Sequence, residues 1–191
     1  MIADLVNYIV WLYGDRGARP YGSEAVTQFE HALQCAELAE RGGASDDLIV
    51  ASLLHDLGHL LHELGSDVAR RGVDDRHEYR PLRMLRRHFG EAVLAPIRLH
   101  VAAKRYLCTV ESGYWDGLSP ASRVSLQLQG GIYTQVEASH FIRQPCAHDA
   151  VRLRMWDDRA KVARKPTPDF LYYTDLLLRC ALEHRDPQGQ T

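Results

Sequence analysis

The segment ASLLHDLGHLLHELG, residues 51–65, sets His55, Asp56, His59 and His62 into an otherwise leucine-rich run. Polar side chains in such a run cost free energy unless they are hydrogen-bonded or hold something. On a continuous helix His55, His59 and His62 project roughly together, with Asp56 turned from them by about 100°. A lone helical histidine is ordinarily structural, but here other segments repeat the chemistry. His31 sits inside an amphipathic stretch, His77 and His100 follow, and Asp157 comes directly after Trp156. Imidazole and carboxylate together suit borderline divalent ions such as iron, manganese, nickel or zinc. His31, His55, Asp56 and Asp157 suffice for one ion, while His77 and His100 supply most of the shell of a second. Asp56 can serve one centre or bridge both, and the expectation is a dinuclear site.

The elements that must position these residues read as helices. Leu5, Ile9, Leu12 and Tyr13 form one stripe over 2–13, and Phe29, Leu33, Ala36 and Leu38 another over 24–41, stopped by Gly42-Gly43. Ser45 with Asp46-Asp47 opens a third helix, which the pattern carries through to Gly58. Further helices are expected at 75–89 and 91–106, at 120–128 after Ser119-Pro120, and at 147–157 and 168–184. A longer loop is expected around 107–118, and the stretch 132–150, with His140 and His148, is uninformative. Strand alternation is nearly absent. The expected architecture is all-α, a single domain over 1–185 with a flexible tail at 186–191.

The 191 residues are 46% hydrophobic and 25% charged with a formal net charge of −2, which fits one globular domain and gives no basic face for nucleic acid. No apolar run approaches the ~20 residues of a membrane span. Cys35, Cys108, Cys146 and Cys180 lie far apart with no C-x-x-C pair, and the N-terminus lacks the order of a signal peptide. Buried free thiols and a cytoplasmic location are expected.

His31, the pair His55-Asp56 and Asp157 match the H…HD…D signature of the HD-domain superfamily, an all-α metal fold known mostly for phosphohydrolases. The stretches YGSEAVTQFEHALQCAELAERGGA, ASLLHDLGHLL, LHVAAKRYL, LSPASRVSLQLQGG and MWDDRAK carry the likeness further, over about residues 20–165. They resemble the HD-domain phosphonate oxygenases, which split carbon–phosphorus bonds with a mixed-valence di-iron centre. The helical core is then expected to be an HD-domain bundle around two irons, similar to that of myo-inositol oxygenase. The resemblance implies one iron on His31, His55, Asp56 and Asp157 and the other on His77 and His100, with Asp56 bridging and O2 as co-substrate. It also implies a small organophosphonate substrate, supplied by an upstream Fe(II)/2-oxoglutarate hydroxylase.

A phosphonate must be met by fixed donors. Lys104 and Arg105 lie one turn after His100, so at least one can face the same cavity, and Ser122 and Ser125 share a helical face. The resemblance makes His59, Lys104 and Ser122 the phosphonate binders, with Arg105, Ser125 and Gln129 as further candidates. It makes Tyr21 a gate that occupies an iron until substrate displaces it, and Glu24 part of the same lid, facing the substrate's amino end. The mobile turn at Gly22 suits that role. The products would be phosphate with glycine from (2-amino-1-hydroxyethyl)phosphonate, or with glycine betaine from its trimethylammonio analogue, unless a simpler hydroxyphosphonate is used. Tyr21, Tyr133, Phe141 and Trp115 are the aromatic candidates for a quaternary ammonium. His62 and His88 are expected to be structural or exposed. The rival reading is an HD-type metal-dependent phosphohydrolase acting on a nucleotide or phosphoester through metal-bound hydroxide.

Overall fold

Helical spacing of apolar residues along most of the chain yields ten α-helices in the computed structural model, which describes residues 1–65 and 68–181. They are α1 (Ile2–Arg16), α2 (Gln28–Arg41), α3 (Asp46–Leu54), α4 (Leu82–Leu85), α5 (Glu91–Val110), α6 (Tyr114–Gly117), α7 (Pro120–Leu128), α8 (Gln135–Phe141), α9 (Ala147–Arg159) and α10 (Phe170–Cys180). Among the described residues there is no strand, only an isolated bridge between Pro20 and Thr27. The fold is all-α. No described helix is long and apolar enough to cross a membrane. The expected tail at 186–191, and residues 182–185 before it, lie outside the described residues.

One core runs through the bundle, from Leu5, Ile9 and Leu12 of α1 through Leu53 and Leu54 of α3 and Ile97 of α5 to Leu177 of α10. The most extensive packing is of α5 on α9 and of α2 on α3, so the helices that carry His31, His100 and Asp157 are also those most firmly held by the core. A smaller apolar cluster joins α5, α8 and α9 through Ala103, Phe141, Ala147 and Ala150. Cys35, Cys108, Cys146 and Cys180 form no disulfide, and Cys35 and Cys180 are buried.

Four expected elements take a different form. Helix α2 starts at Gln28 rather than at residue 24, because Thr27 and Glu30 form a reciprocal cap: Glu30 N donates to Thr27 Oγ1 at 3.1 Å and Thr27 N to Glu30 Oε2 at 2.7 Å. The preceding residues fold into a narrow loop closed by Tyr21 N to Val26 O and Gln28 N to Arg19 O, both 3.0 Å. Helix α3 stops at Leu54, and a 3-10 turn at Leu57–Leu60 replaces its expected last turn. The helix expected over 75–89 is reduced to α4, with turns before it. Arg76 takes a positive φ of 51°, and Pro81 precedes the helix. The loop expected at 107–118 shrinks, since α5 runs on to Val110 and α6 fills part of the rest. In the stretch 132–150, Thr134 and Glu137 cap α8.

Candidate metal centre

His31 projects from α2, His55 caps the C-terminal end of α3, His100 lies on α5 and Asp157 near the end of α9; His77 comes from the turn region before α4. All of them, with Asp56, are buried. They form two groups that share Asp56, one with His31, His55 and Asp157 and the other with His77 and His100. In the first, Asp56 Oδ2 lies 3.5 Å from His31 Nε2 and 3.3 Å from His55 Nε2, and Asp157 Oδ1 lies 3.4 Å from His31 Nε2. In the second, Asp56 Oδ1 lies 3.4 Å from His77 Nε2 and 3.6 Å from His100 Nε2. One carboxylate thus turns one oxygen to each group.

Each of these histidines uses its Nδ1–H elsewhere. His31 donates to Ala160 O at 2.9 Å, His55 to Ser52 O at 2.9 Å, His100 to Ile97 O at 2.7 Å and His77 to Asp75 Oδ1 at 2.9 Å. The four Nε2 atoms therefore turn lone pairs inward. They do so in opposed pairs, His31 and His55 at 3.4 Å and His77 and His100 at 3.0 Å, which repel unless a cation or proton lies between them. Both oxygens of Asp56 are buried without a hydrogen-bond donor. An orphaned carboxylate between opposed lone pairs fits two metal ions.

The electrostatics of the centre are mixed: burial lowers His55 and His77, but Asp56 outweighs it at His55, which is raised, and Asp75 with Asp56 outweighs it at His77, which is raised to about 9, so these two imidazoles favour a proton that a metal ion would have to displace. Burial by itself raises the Asp56 carboxyl, but the imidazoles of His55, His31 and His59 outweigh it and hold the group well below the ordinary carboxylate range. Burial, reinforced by His77 and His55, pushes His100 well below 6.5, toward the neutral form a ligand needs. Asp157 is held low against its burial chiefly by Arg154, whose Nη1 donates to Asp157 Oδ2 at 2.6 Å.

Helix α3 ends before Asp56, so the shared helical face expected for His55, His59 and His62 does not exist. The 3-10 turn brings His59 to the cavity instead, its Nε2 3.9 Å from Asp56 Oδ1. Gly58 is required there, because a Cβ would lie 2.0 Å from His77 O. His62 is buried, with Nε2 donating to Asp75 Oδ2 at 3.0 Å, the structural one of its two expected states.

A cavity of about 140 Å³ opens beside the metal groups. Tyr21, Glu24, His59, Lys104, Ser122, Ser125 and Gln129 all line it. Tyr21 stacks on His31 at 3.8 Å and its hydroxyl donates to Asp157 Oδ1 at 3.3 Å. Lys104 Nζ donates to Ser125 Oγ at 2.8 Å. Burial, aided by Arg154, lowers the Lys104 ammonium to about 7. Arg105 does not line the cavity: its guanidinium donates to Gly131 O at 2.7 Å and Gly130 O at 2.8 Å and stacks on Tyr133, tying down the turn after α7. Among the cavity residues that escape the sequence reading are Asp75, Arg154 and Lys161. Arg154 precedes Asp157 by three positions, a helical spacing that signals an ion pair. Asp75 and Lys161 carry no comparable pattern.

No family model matches the chain. A hydroxymethylphosphonate dioxygenase of Gimesia maris is 45% identical over 94% of this chain and 89% of its own length. The chain belongs to the phosphonate dioxygenase family. The [1-hydroxy-2-(trimethylamino)ethyl]phosphonate dioxygenase (glycine-betaine-forming) of Leisingera caerulea is 35% identical over 95% of this chain and 92% of its own length. Membership in a dioxygenase family makes the chain an O2-dependent enzyme and leaves the phosphohydrolase reading without support.

Proposed function

We propose that this chain is a di-iron oxygenase that cleaves the carbon–phosphorus bond of a compact 1-hydroxyalkylphosphonate, with hydroxymethylphosphonate as the preferred substrate. The carrying observation is the centre itself, two buried histidine groups turned toward opposite oxygens of one orphaned carboxylate. For hydroxymethylphosphonate the balanced reaction consumes one O2 and yields formate and phosphate. Two irons held by His31, His55, Asp56 and Asp157 and by His77, His100 and Asp56 would supply the redox chemistry toward O2 and the Lewis acidity toward the hydroxyphosphonate.

The chain's own groups bind and orient. Lys104, Ser122, Ser125, Gln129 and His59 all line the cavity and are the groups proposed to hold the phosphonate oxygens. Because Lys104 is buried, its charge acts in a medium of low dielectric, where each contact with an anion counts for more than in water. Tyr21 lies over His31 with its hydroxyl on Asp157, so it covers the first metal group and must move for substrate to reach that group. Burial, then Asp157 and Asp56, keep the phenol protonated.

The cavity supports the small substrate. Its volume of about 140 Å³ with Tyr21 in place is of the order of the ~150 Å³ that holds one benzene molecule, enough for hydroxymethylphosphonate. Of the four aromatic candidates for a quaternary ammonium, only Tyr21 lines the cavity. Tyr133 stacks on Arg105, Phe141 is in the α5–α8–α9 cluster and Trp115 faces Arg123. The name of the Gimesia maris relative points the same way. A second reading, the primary amine, rests on Glu24, whose Oε1 is a buried acceptor without a hydrogen-bond donor and has Lys161 Nζ at 3.6 Å. In either case a hydroxylase of the Fe(II)/2-oxoglutarate class is the fitting source of the 1-hydroxyl group.

The test loads the protein with iron anaerobically, adds each hydroxyphosphonate, admits O2 and measures phosphate with formate, glycine or glycine betaine. Formate and phosphate in equal amounts, dependent on O2, are expected. Oxygen-independent phosphate release from phosphoesters, with none from phosphonates, overturns the proposal.

A further inference from the structure

Asp75 is buried and is the most heavily used carboxylate near the centre, yet it belongs to neither metal group around Asp56. Its Oδ1 accepts from His77 Nδ1 at 2.9 Å and from the His77 backbone N at 3.3 Å. Its Oδ2 accepts from His59 Nδ1 at 2.7 Å and from His62 Nε2 at 3.0 Å. The far side of His62 is fixed as well, since Leu64 N donates to His62 Nδ1 at 3.2 Å. The main chain at Asp75 is held by Arg80, whose Nε donates to Asp75 O at 2.5 Å.

The consequence is geometric. His59 and His77 both present Nδ1 to one carboxylate, so their rings stack 4.0 Å apart and 21° from parallel. Both Nε2 atoms then point the same way, His77 toward Asp56 Oδ1 at 3.4 Å and His59 toward the same oxygen at 3.9 Å and the cavity beyond it. The other three histidines of the centre rest on backbone carbonyls of the helices or helix ends that carry them or pack beside them. Only this pair depends on a side chain.

We infer that Asp75 is a positioning residue that locks a metal-holding imidazole and a phosphonate-binding imidazole into one rigid pair, with His62 as the brace on its second oxygen. Loading of the His77–His100 position and binding of the anion in the cavity are thereby coupled. The inference rests on the function proposed above for His59 and His77, and it concerns how they are held rather than what they do.

Asp75→Asn tests it. An amide has one acceptor oxygen, and its NH2 would confront an N–H of either His59 or His77, so one ring must turn or move its proton to Nε2, which at His77 removes the lone pair a metal needs. Metal content per chain, affinity for inorganic phosphate by calorimetry, and thermal unfolding are measured on the iron-loaded protein, with Asp75→Glu as the conservative rescue. Asp75→Asn is expected to lower the metal content from two toward one and to weaken phosphate binding, by the ~10–100-fold typical of removing a carboxylate behind a metal-bound imidazole. His62→Gln, which leaves the Oδ1 side intact, is expected to keep two metals while weakening phosphate binding. Two metals and unchanged phosphate affinity in Asp75→Asn overturn the inference, and so does a variant that loses only thermal stability. These readouts stay interpretable if the wild-type protein fails to release phosphate from hydroxymethylphosphonate, so failure of the two proposals can be told apart.

Discussion

The two halves of the metal centre are built by different means. His31, His55 and Asp157 stand on α2, α3 and α9, inside the packed core, and both imidazoles rest on main-chain carbonyls. In the other half His100 is equally well founded on α5, but His77 comes from a turn beside a residue of positive φ and leans on the Asp75 side chain. The first half persists as long as the core does. The His77 side of the second is carried by irregular backbone, which is where local opening without global unfolding is expected. On the proposed assignment the half with the firmer protein scaffold would also have more protein ligands, so the two positions should differ in affinity.

Asp56→Asn is the harshest test, since it removes the shared ligand. Both metals should be lost from the centre and phosphate release should fall by more than about a thousandfold, beyond the ~10–100-fold of an indirect partner. A variant that keeps one metal in the His31 half with wild-type affinity would show that the halves are more independent than their shared carboxylate implies. Arg154→Met strikes the helix-held half of the two. It leaves the buried Asp157 carboxylate without its cation, and loss of one partner of a buried pair costs about 3–5 kcal/mol. Chemical denaturation of the metal-free protein should show that loss, and the first metal position should weaken rather than the second. Graded chelation should give a plateau near one metal per chain as the His77–His100 position empties first. Removing the remaining ion then lowers the unfolding free energy by about 2.7 kcal/mol at a free-metal level of 100 times Kd. Simultaneous loss of both ions would erase the difference between the halves.

Smaller effects concern the cavity that both halves face. If the ammonium form of Lys104 binds the anion as proposed, kcat/KM of the free enzyme should decline as pH rises through about 7, and Lys104→Met should abolish that limb of the profile. The folded pKa lies below the unfolded value, so between about 7 and 10.5 the unfolded chain binds more protons. Stability contributed through Lys104 therefore increases with pH across that window. Glu24→Gln is the mildest change. With hydroxymethylphosphonate it should alter KM by no more than a few-fold, within the ~1 kcal/mol of a typical hydrogen bond, and a selective loss on the primary amine would favour the second substrate reading.

Much of the site was legible in the sequence because it consists of unusual residues in regular elements. A histidine in an apolar helix needs a partner, and His31, His100 and Asp157 sit in helices that periodicity locates well. The region from Leu54 to Pro81 was not legible in the same way. Its leucines continue a helical pattern, but the backbone breaks at Asp56, approaches His77 through the missing Cβ of Gly58, and turns at Arg76. The reading of Arg105 failed for a related reason: its spacing from His100 was right, but the carbonyls of Gly130 and Gly131 lie within reach and satisfy it first.

The sequence by itself determined the candidate ligands, the all-α class and most helix positions, because residue type and a period near 3.6 are local properties. Tertiary structure alone decided which oxygen of Asp56 faces which histidines, that Asp75 joins His59 to His77, and that Glu24 has Lys161 beside it. Those relations join irregular segments to distant parts of the chain, and their geometry follows from how the helices pack and where the chain turns, which no local pattern encodes.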